Sequence, residues 1–367
     1  MSEVLMNDFR AEPAAMREEM LAAARTVFES GWYVLGKQVT AFEAAWSAAC
    51  GVAHSVGVGN GMDAIEIGLR ALDIGPGDEV ITTPMTAFAT VLAVLRAGAV
   101  PVLADIDAAT GLLDLASVER CIGPATRAVI PVHLYGRMGD MAAWAAFCKE
   151  RKLHLIEDCA QSHLARWNGK TAGTYGACGA YSFYPTKNLG AIGDAGALIT
   201  DSAELAAKAG RLRNYGQSVR YEHPELGMNS RLDELQAALL LVKLKYLQDS
   251  TVRRREIAAR YFSAMRNPGL TLLAAPEQAE NHVQHLFVLL TPERERLQQH
   301  LREAGVQALI HYPIPVHHQP PCAQLRRDPQ GLGRAERHAA QCLSVPCHAQ
   351  MDETQINRVI EAVNAFS

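Results

Sequence analysis

The stretch "SFYPTKNLGAIGDAG", residues 182–196, sets a single lysine, Lys187, between a strand-like Ser182-Phe183-Tyr184 and a glycine-rich run. Pro185 and Thr186 precede it; Asn188, Leu189 and Gly190 follow. A solvated surface lysine usually sits among charged or polar neighbours on a helix face. Proline before it and glycine after it read as a turn instead. A lysine fixed on a turn faces something, and the rest of the chain has to say what.

Upstream, "HLIEDCAQ" (154–161) reads as a short buried strand with Asp158 at its carboxyl end. Open α/β sheets bind ligands at that end of their strands, and a carboxylate there is costly unless it meets a positive charge. Taken alone, Asp158 fits a helix cap or a structural pair as well as a cofactor site.

Two glycine-rich stretches invite other readings. "GVGNGMDA" (57–64) lacks the third glycine of a dinucleotide fingerprint, because Met62 stands there. "GWYVLGKQ" (31–38) has the spacing of a P-loop but carries Gln38 where a magnesium-holding Ser or Thr belongs, and it follows a helical stretch. Both are rejected. Gly59-Asn60-Gly61-Met62 still leaves a strand and opens a helix, whose free N–H groups suit a phosphate. A plain structural turn explains that stretch equally well on its own.

From about residue 50, β-branched runs alternate with helical stretches: "HSVGVG", "EVITTP", "VPVLADI", "RAVIPVHLYG" and "HLIEDCA". This is the pattern of a largely parallel sheet covered on both faces. It gives way to one long helical stretch, "SRLDELQAALLLVKLKYLQDSTVRRREIAARYFSAM", and then to a smaller α+β unit. The expected domains are 1–245, large, with an N-terminal segment, and 246–367, small, joined within that stiff helix.

A chain of 367 residues, 49% hydrophobic, is long enough for two lobes. Its net charge of −4 argues against nucleic acid. "RRRE" (253–256) reads as a solvated helix face. The N-terminus shows no signal peptide, and no apolar run approaches the ~18 residues of a membrane span. Eight cysteines without C-x-x-C spacing point to reduced thiols, no zinc or other metal site, and a cytoplasmic protein.

The pieces become specific together. A helix start for a phosphate, a strand-end carboxylate and, 29 residues later, an isolated lysine describe a pyridoxal 5'-phosphate (PLP) site. The lysine forms the Schiff base, the carboxylate keeps the pyridine nitrogen protonated, and Ser182 offers the phosphate a hydroxyl.

"VGVGNGMDAIEIGLRAL", "GPGDEVITTP", "IEDCAQSHLA", "SFYPTKNLGAIGDAGAL", "GMNSRLDELQAALLLVKL", "IHYPIPVHHQP" and "LSVPCH" occur in the order of the DegT/DnrJ/EryC1/StrS sugar aminotransferases, which the chain resembles from about residue 30 to its end. The resemblance implies a fold-type-I PLP-dependent transferase, a homodimer with shared active sites, using L-glutamate as amino donor. It matches Lys187 to the Schiff-base lysine, Asp158 to the pyridinium partner and Gln161 to the residue beside the phenolic oxygen. Ser182, Gly61 and Met62 match the phosphate cradle, and Asn229 an asparagine reaching in from the second subunit. Tyr312, His311, Arg220 and Tyr221 are candidates for the sugar-nucleotide pocket.

The chain departs from the family at three places. Met62 replaces a Thr or Ser, Ala87 stands where a ring-stacking aromatic is frequent with Phe88 next to it, and His318 beside His317 replaces a leucine. The form "SFYPTKNLGA" resembles enzymes aminating C3 of a keto-sugar. The expected acceptor is therefore a dTDP-linked 3-keto-6-deoxyhexose, with a UDP-linked 3-keto sugar or a keto-inositol as competitor. A non-catalytic role is disfavoured because Lys187 and Asp158 are both present.

Overall fold

A computed structural model describes residues 3–367. Seven strands form the large sheet, in the order His54–Val58, Gly196–Thr200, Cys178–Ser182, His154–Asp158, Thr126–Ile130, Glu79–Thr82 and Val100–Leu103. All neighbours pair in parallel except Gly196–Thr200, which runs antiparallel to both of its partners. The expected mixed, mostly parallel sheet is what the chain forms.

Period-two side-chain alternation accounts for its two covered faces. Val80, Ala128, Ile156, Ala180 and Leu198 enter one apolar cluster, while Ile81, Val129, Leu155, Tyr181 and Ile199 enter the other. The first lies under the helix Gly61–Ala71 and the second under Lys37–Cys50. Burial on both sides explains the nearly continuous apolar runs in the sequence.

A smaller antiparallel sheet, Thr271–Leu272, Phe287–Leu290 and Cys342–Val345, carries a third cluster with the helices Leu247–Ala264, Arg294–Glu303 and Glu353–Ala365. The N-terminal segment belongs partly to this cluster: Val4 is fully buried in it and bridges to Val306.

Two expectations need correcting. The long helical stretch is not one rod: Glu234–Leu244 ends and Leu247–Ala264 begins across Lys245 and Tyr246. The apolar periodicity runs through this point, so the sequence pattern hides the break. "RRRE" is not wholly a solvated face either. Arg254 is buried and donates from Nη1 to the carbonyls of Gln284 (3.2 Å), His285 (3.4 Å) and Cys347 (2.5 Å), joining three segments. Carbonyl oxygens meet this charge where the interleaved acids suggested solvent.

Candidate active site

Asp158 closes its strand at the carboxyl edge of the sheet and is 4% exposed. Its Oδ1 accepts from the Ala160 N–H at 3.1 Å and its Oδ2 from the Thr90 hydroxyl at 2.8 Å. Thr90 lies in the first turn of the helix Phe88–Arg96, and its Oγ1 is 2.9 Å from that of Thr86. The carboxylate is thus held by two neutral donors.

Lys187 comes to the same cleft from the turn after Cys178–Ser182. Its N–H donates to Tyr184 O at 2.8 Å, and Ala191 N–H closes the loop onto Phe183 O at 2.8 Å. Gly190 is required there, because a Cβ would sit 2.2 Å from Pro185 O. Burial pulls the Lys187 amine down to about 8, and the charge of Asp158 opposes that fall. Near neutral pH such a lysine carries far more free amine than a surface lysine, which suits a nucleophile and proton carrier.

The helix Gly61–Ala71 starts beside Ser182, so close that a Cβ on Gly61 would lie 2.7 Å from Ser182 Cβ. Asn60 caps it by accepting from Asp63 N–H at 2.9 Å. Among the described residues nothing accepts from the N–H groups of Gly61 and Met62. These two donors and the half-buried Ser182 form a donor-lined seat that fits a phosphate. The Met62 side chain turns instead into the apolar cluster under the helix, so at this position the backbone alone faces the seat.

Gln161 is fixed in orientation. Its Oε1 accepts from Tyr135 N–H at 2.5 Å, which leaves Nε2 to donate, and it does so to the Tyr312 hydroxyl at 3.1 Å. Tyr312 is half-buried, and burial together with the nearby Asp158 charge pushes its phenol up to about 12. His311 hydrogen-bonds Ser344 Oγ through Nδ1 at 2.8 Å, and burial and Lys187 pull its imidazole down to about 4.

The structure therefore brings Lys187, Asp158, Gln161, Tyr312 and His311 into one neighbourhood. It does not bring in Arg220, Tyr221 or Asn229. Arg220 and Tyr221 stack on each other, 5.0 Å apart, on an exposed hairpin, and Asn229 is exposed with no side-chain hydrogen bond among the described residues. Phe88, next to Ala87, is half-buried and packs against the cluster of Val91, Leu103 and Val316. His317 is buried and its Nε2 lies 3.0 Å from Glu336 Oε1, while His318 is exposed beside it.

Two residues escaped the sequence reading. Thr90 follows Ala87 by three residues in "PMTAFAT" (84–90) and carries no signal in the sequence beyond that of a helical threonine. Tyr135 lay in "IPVHLYG"; its φ of 61° and its hydroxyl, 2.6 Å from His311 O, tie Gln161 to the His311–Tyr312 segment.

A model of the DegT/DnrJ/EryC1/StrS aminotransferase family matches residues 14–364. The chain is 43% identical to the dTDP-3-amino-3,4,6-trideoxy-alpha-D-glucose transaminase of Streptomyces venezuelae over 98% of its own length and 95% of the relative's. It is 44% identical to the dTDP-3-amino-3,6-dideoxy-alpha-D-galactopyranose transaminase of Aneurinibacillus thermoaerophilus, over 98% of each chain. The crystal structure of S. venezuelae DesV in complex with a ketimine intermediate superimposes with a TM-score of 0.95 at 43% identity, covering 99% of this chain and 98% of that one.

Proposed function

The chain belongs to the DegT/DnrJ/EryC1/StrS aminotransferase family, and from that premise we propose that it transfers the amino group of L-glutamate to C3 of a dTDP-linked 3-keto-6-deoxyhexose. It is an aminotransferase that works with PLP. When bound, the cofactor supplies the aldehyde that carries the amine and the electron sink for proton transfer at carbon.

The chain's own residues divide the remaining work. Lys187 Nζ would hold the cofactor's aldehyde carbon and would be the group that carries a proton at the reacting carbons. Asp158 would pair with the pyridine nitrogen and keep it protonated by charge. Gln161 Nε2, with its orientation set by Tyr135, donates toward the phenolic oxygen. The N–H groups of Gly61 and Met62 and the Ser182 hydroxyl hold the phosphate. Tyr312 and His311 border the acceptor.

One observation carries the reading: a lysine lowered by burial shares its cleft with a strand-end carboxylate and a helix start whose N–H groups are unclaimed. Both named relatives place their amine on carbon 3 of a dTDP sugar, which supports the same regiochemistry here.

We further propose a homodimer in which Asn229, Arg220 and Tyr221 of one copy complete the site of the other. Their exposure on an arm that also shows Val219, Tyr215 and Leu226 to solvent supports that placement. Eight buried, unpaired cysteines suit a reducing cytoplasm.

The test is a single-turnover experiment in which the holoenzyme is mixed with glutamate and 2-oxoglutarate is counted. One equivalent per site is expected from the wild type and none from Lys187→Ala. Equal yields from the two would remove Lys187 from the chemistry.

A further inference from the structure

Thr90 behaves unlike three other helical threonines of this chain, Thr26, Thr40 and Thr251. The hydroxyls of Thr26, Thr40 and Thr251 each donate to the carbonyl four residues back, at 3.1, 3.1 and 2.9 Å, the local bond that such side chains ordinarily make. Thr90, 1% exposed, crosses 68 positions of sequence to reach Asp158 Oδ2 at 2.8 Å.

The direction of each bond follows by elimination. An ionised carboxylate only accepts, so the Thr90 proton is committed to Asp158. The contact between Thr86 and Thr90 then has Thr86 as donor, at 2.9 Å. Thr86 is itself 4% exposed, so the two-hydroxyl relay runs in low dielectric, where successive hydrogen bonds polarise one another. The relay enters from the start of the helix Phe88–Arg96, whose positive end also favours a negative charge. Ala160 N–H holds the other oxygen, Oδ1, at 3.1 Å. Two bonds, one to each oxygen, restrict the rotation of the carboxylate plane and leave each oxygen a further lone pair with which to accept.

We propose that Thr90, backed by Thr86, is the positioning residue that holds the Asp158 carboxylate against the ring nitrogen of the cofactor. The proposal rests on the reading of Asp158 given above. Thr90 touches neither cofactor nor substrate; it acts through Asp158.

Its test is a binding measurement with two probes, PLP and an analogue carrying C–H in place of the ring nitrogen. Dissociation constants are taken for the cofactor-stripped full chain by quenching of its tryptophans. The wild type is expected to prefer PLP by at least about tenfold, the scale of a hydrogen bond to a charged group. Thr90→Val keeps the shape and removes the hydroxyl. It should weaken PLP by about tenfold while leaving the analogue within about twofold, and Thr90→Ser should restore PLP binding. Thr86→Val should show the same selective loss at smaller amplitude, and it serves alone if Thr90→Val does not fold. Equal weakening of both probes would mean that Thr90 acts only in packing and would overturn the proposal. Equal binding of both probes by the wild type is a different result: it would withdraw Asp158 from the ring nitrogen, and the proposal with it.

Discussion

Lys187 titrates at about 8 because burial removes hydration from its ammonium, while Asp158 recovers part of that loss. An exposed lysine titrates at ~10.4, so at pH 7.5 only about 0.1% of it is free amine. With a midpoint of about 8 the free fraction is about a quarter, roughly a two-hundredfold gain. Acylation of the cofactor-stripped protein with a limiting amine reagent, quantified on the Lys187 peptide by mass spectrometry across pH 6–11, reads this directly. The rate should rise through about 8 and then level off.

Asp158→Asn sharpens the experiment because it removes the one effect that raises the lysine. Its midpoint should fall below that of the wild type, so the variant reacts faster at pH 7 although it is the poorer enzyme. A wild-type midpoint near 10 would refute the burial argument. An upward move in Asp158→Asn would refute the placement of its charge near Nζ.

Lys187→Ala should abolish turnover, since positioned acid–base catalysis alone contributes ~10²–10⁴ in rate and the anchor is lost as well; activity above about a tenth of wild type would sink its role. Mixing Lys187→Ala with Asn229→Ala should restore part of the activity, because one site of each hybrid dimer carries neither lesion; none after confirmed subunit exchange would place Asn229 in its own chain. Gly190→Ala drives a Cβ into Pro185 O, and calorimetry should show destabilisation on the order of 2–3 kcal/mol together with weaker PLP binding. An unchanged melting temperature would show that the lysine loop is slack. Glu336→Ala leaves the buried His317 Nε2 without its acceptor and should cost ~1–2 kcal/mol in denaturant unfolding; a neutral result would mean that water replaces the carboxylate.

The sheet was legible because strands buried on both faces read as apolar runs, and the site because its lysine and carboxylate stand where neither belongs on a surface. What stayed hidden involves bonds between segments distant in sequence. Thr90 looks like any helical threonine until Asp158 is folded against it. Arg254 looks solvated until the carbonyls of Gln284, His285 and Cys347 surround it. The break at Lys245–Tyr246 leaves the apolar period intact, so no pattern marks it. Arg220, Tyr221 and Asn229 are a separate matter, since a single chain's sequence does not say in which copy a residue acts.

The reaction proposed for this enzyme is amination at C3 of a dTDP-linked keto-sugar. Nitrogen-15-labelled glutamate, the holoenzyme and a panel of dTDP-3-keto, dTDP-4-keto and UDP-3-keto sugars and keto-inositol put it to the test, with the product carbon bearing the label located by NMR. The label should appear on carbon 3 of the dTDP-3-keto-6-deoxyhexose, faster than in any other acceptor. Label on carbon 4, or transfer confined to the UDP sugar or the inositol, would contradict the account.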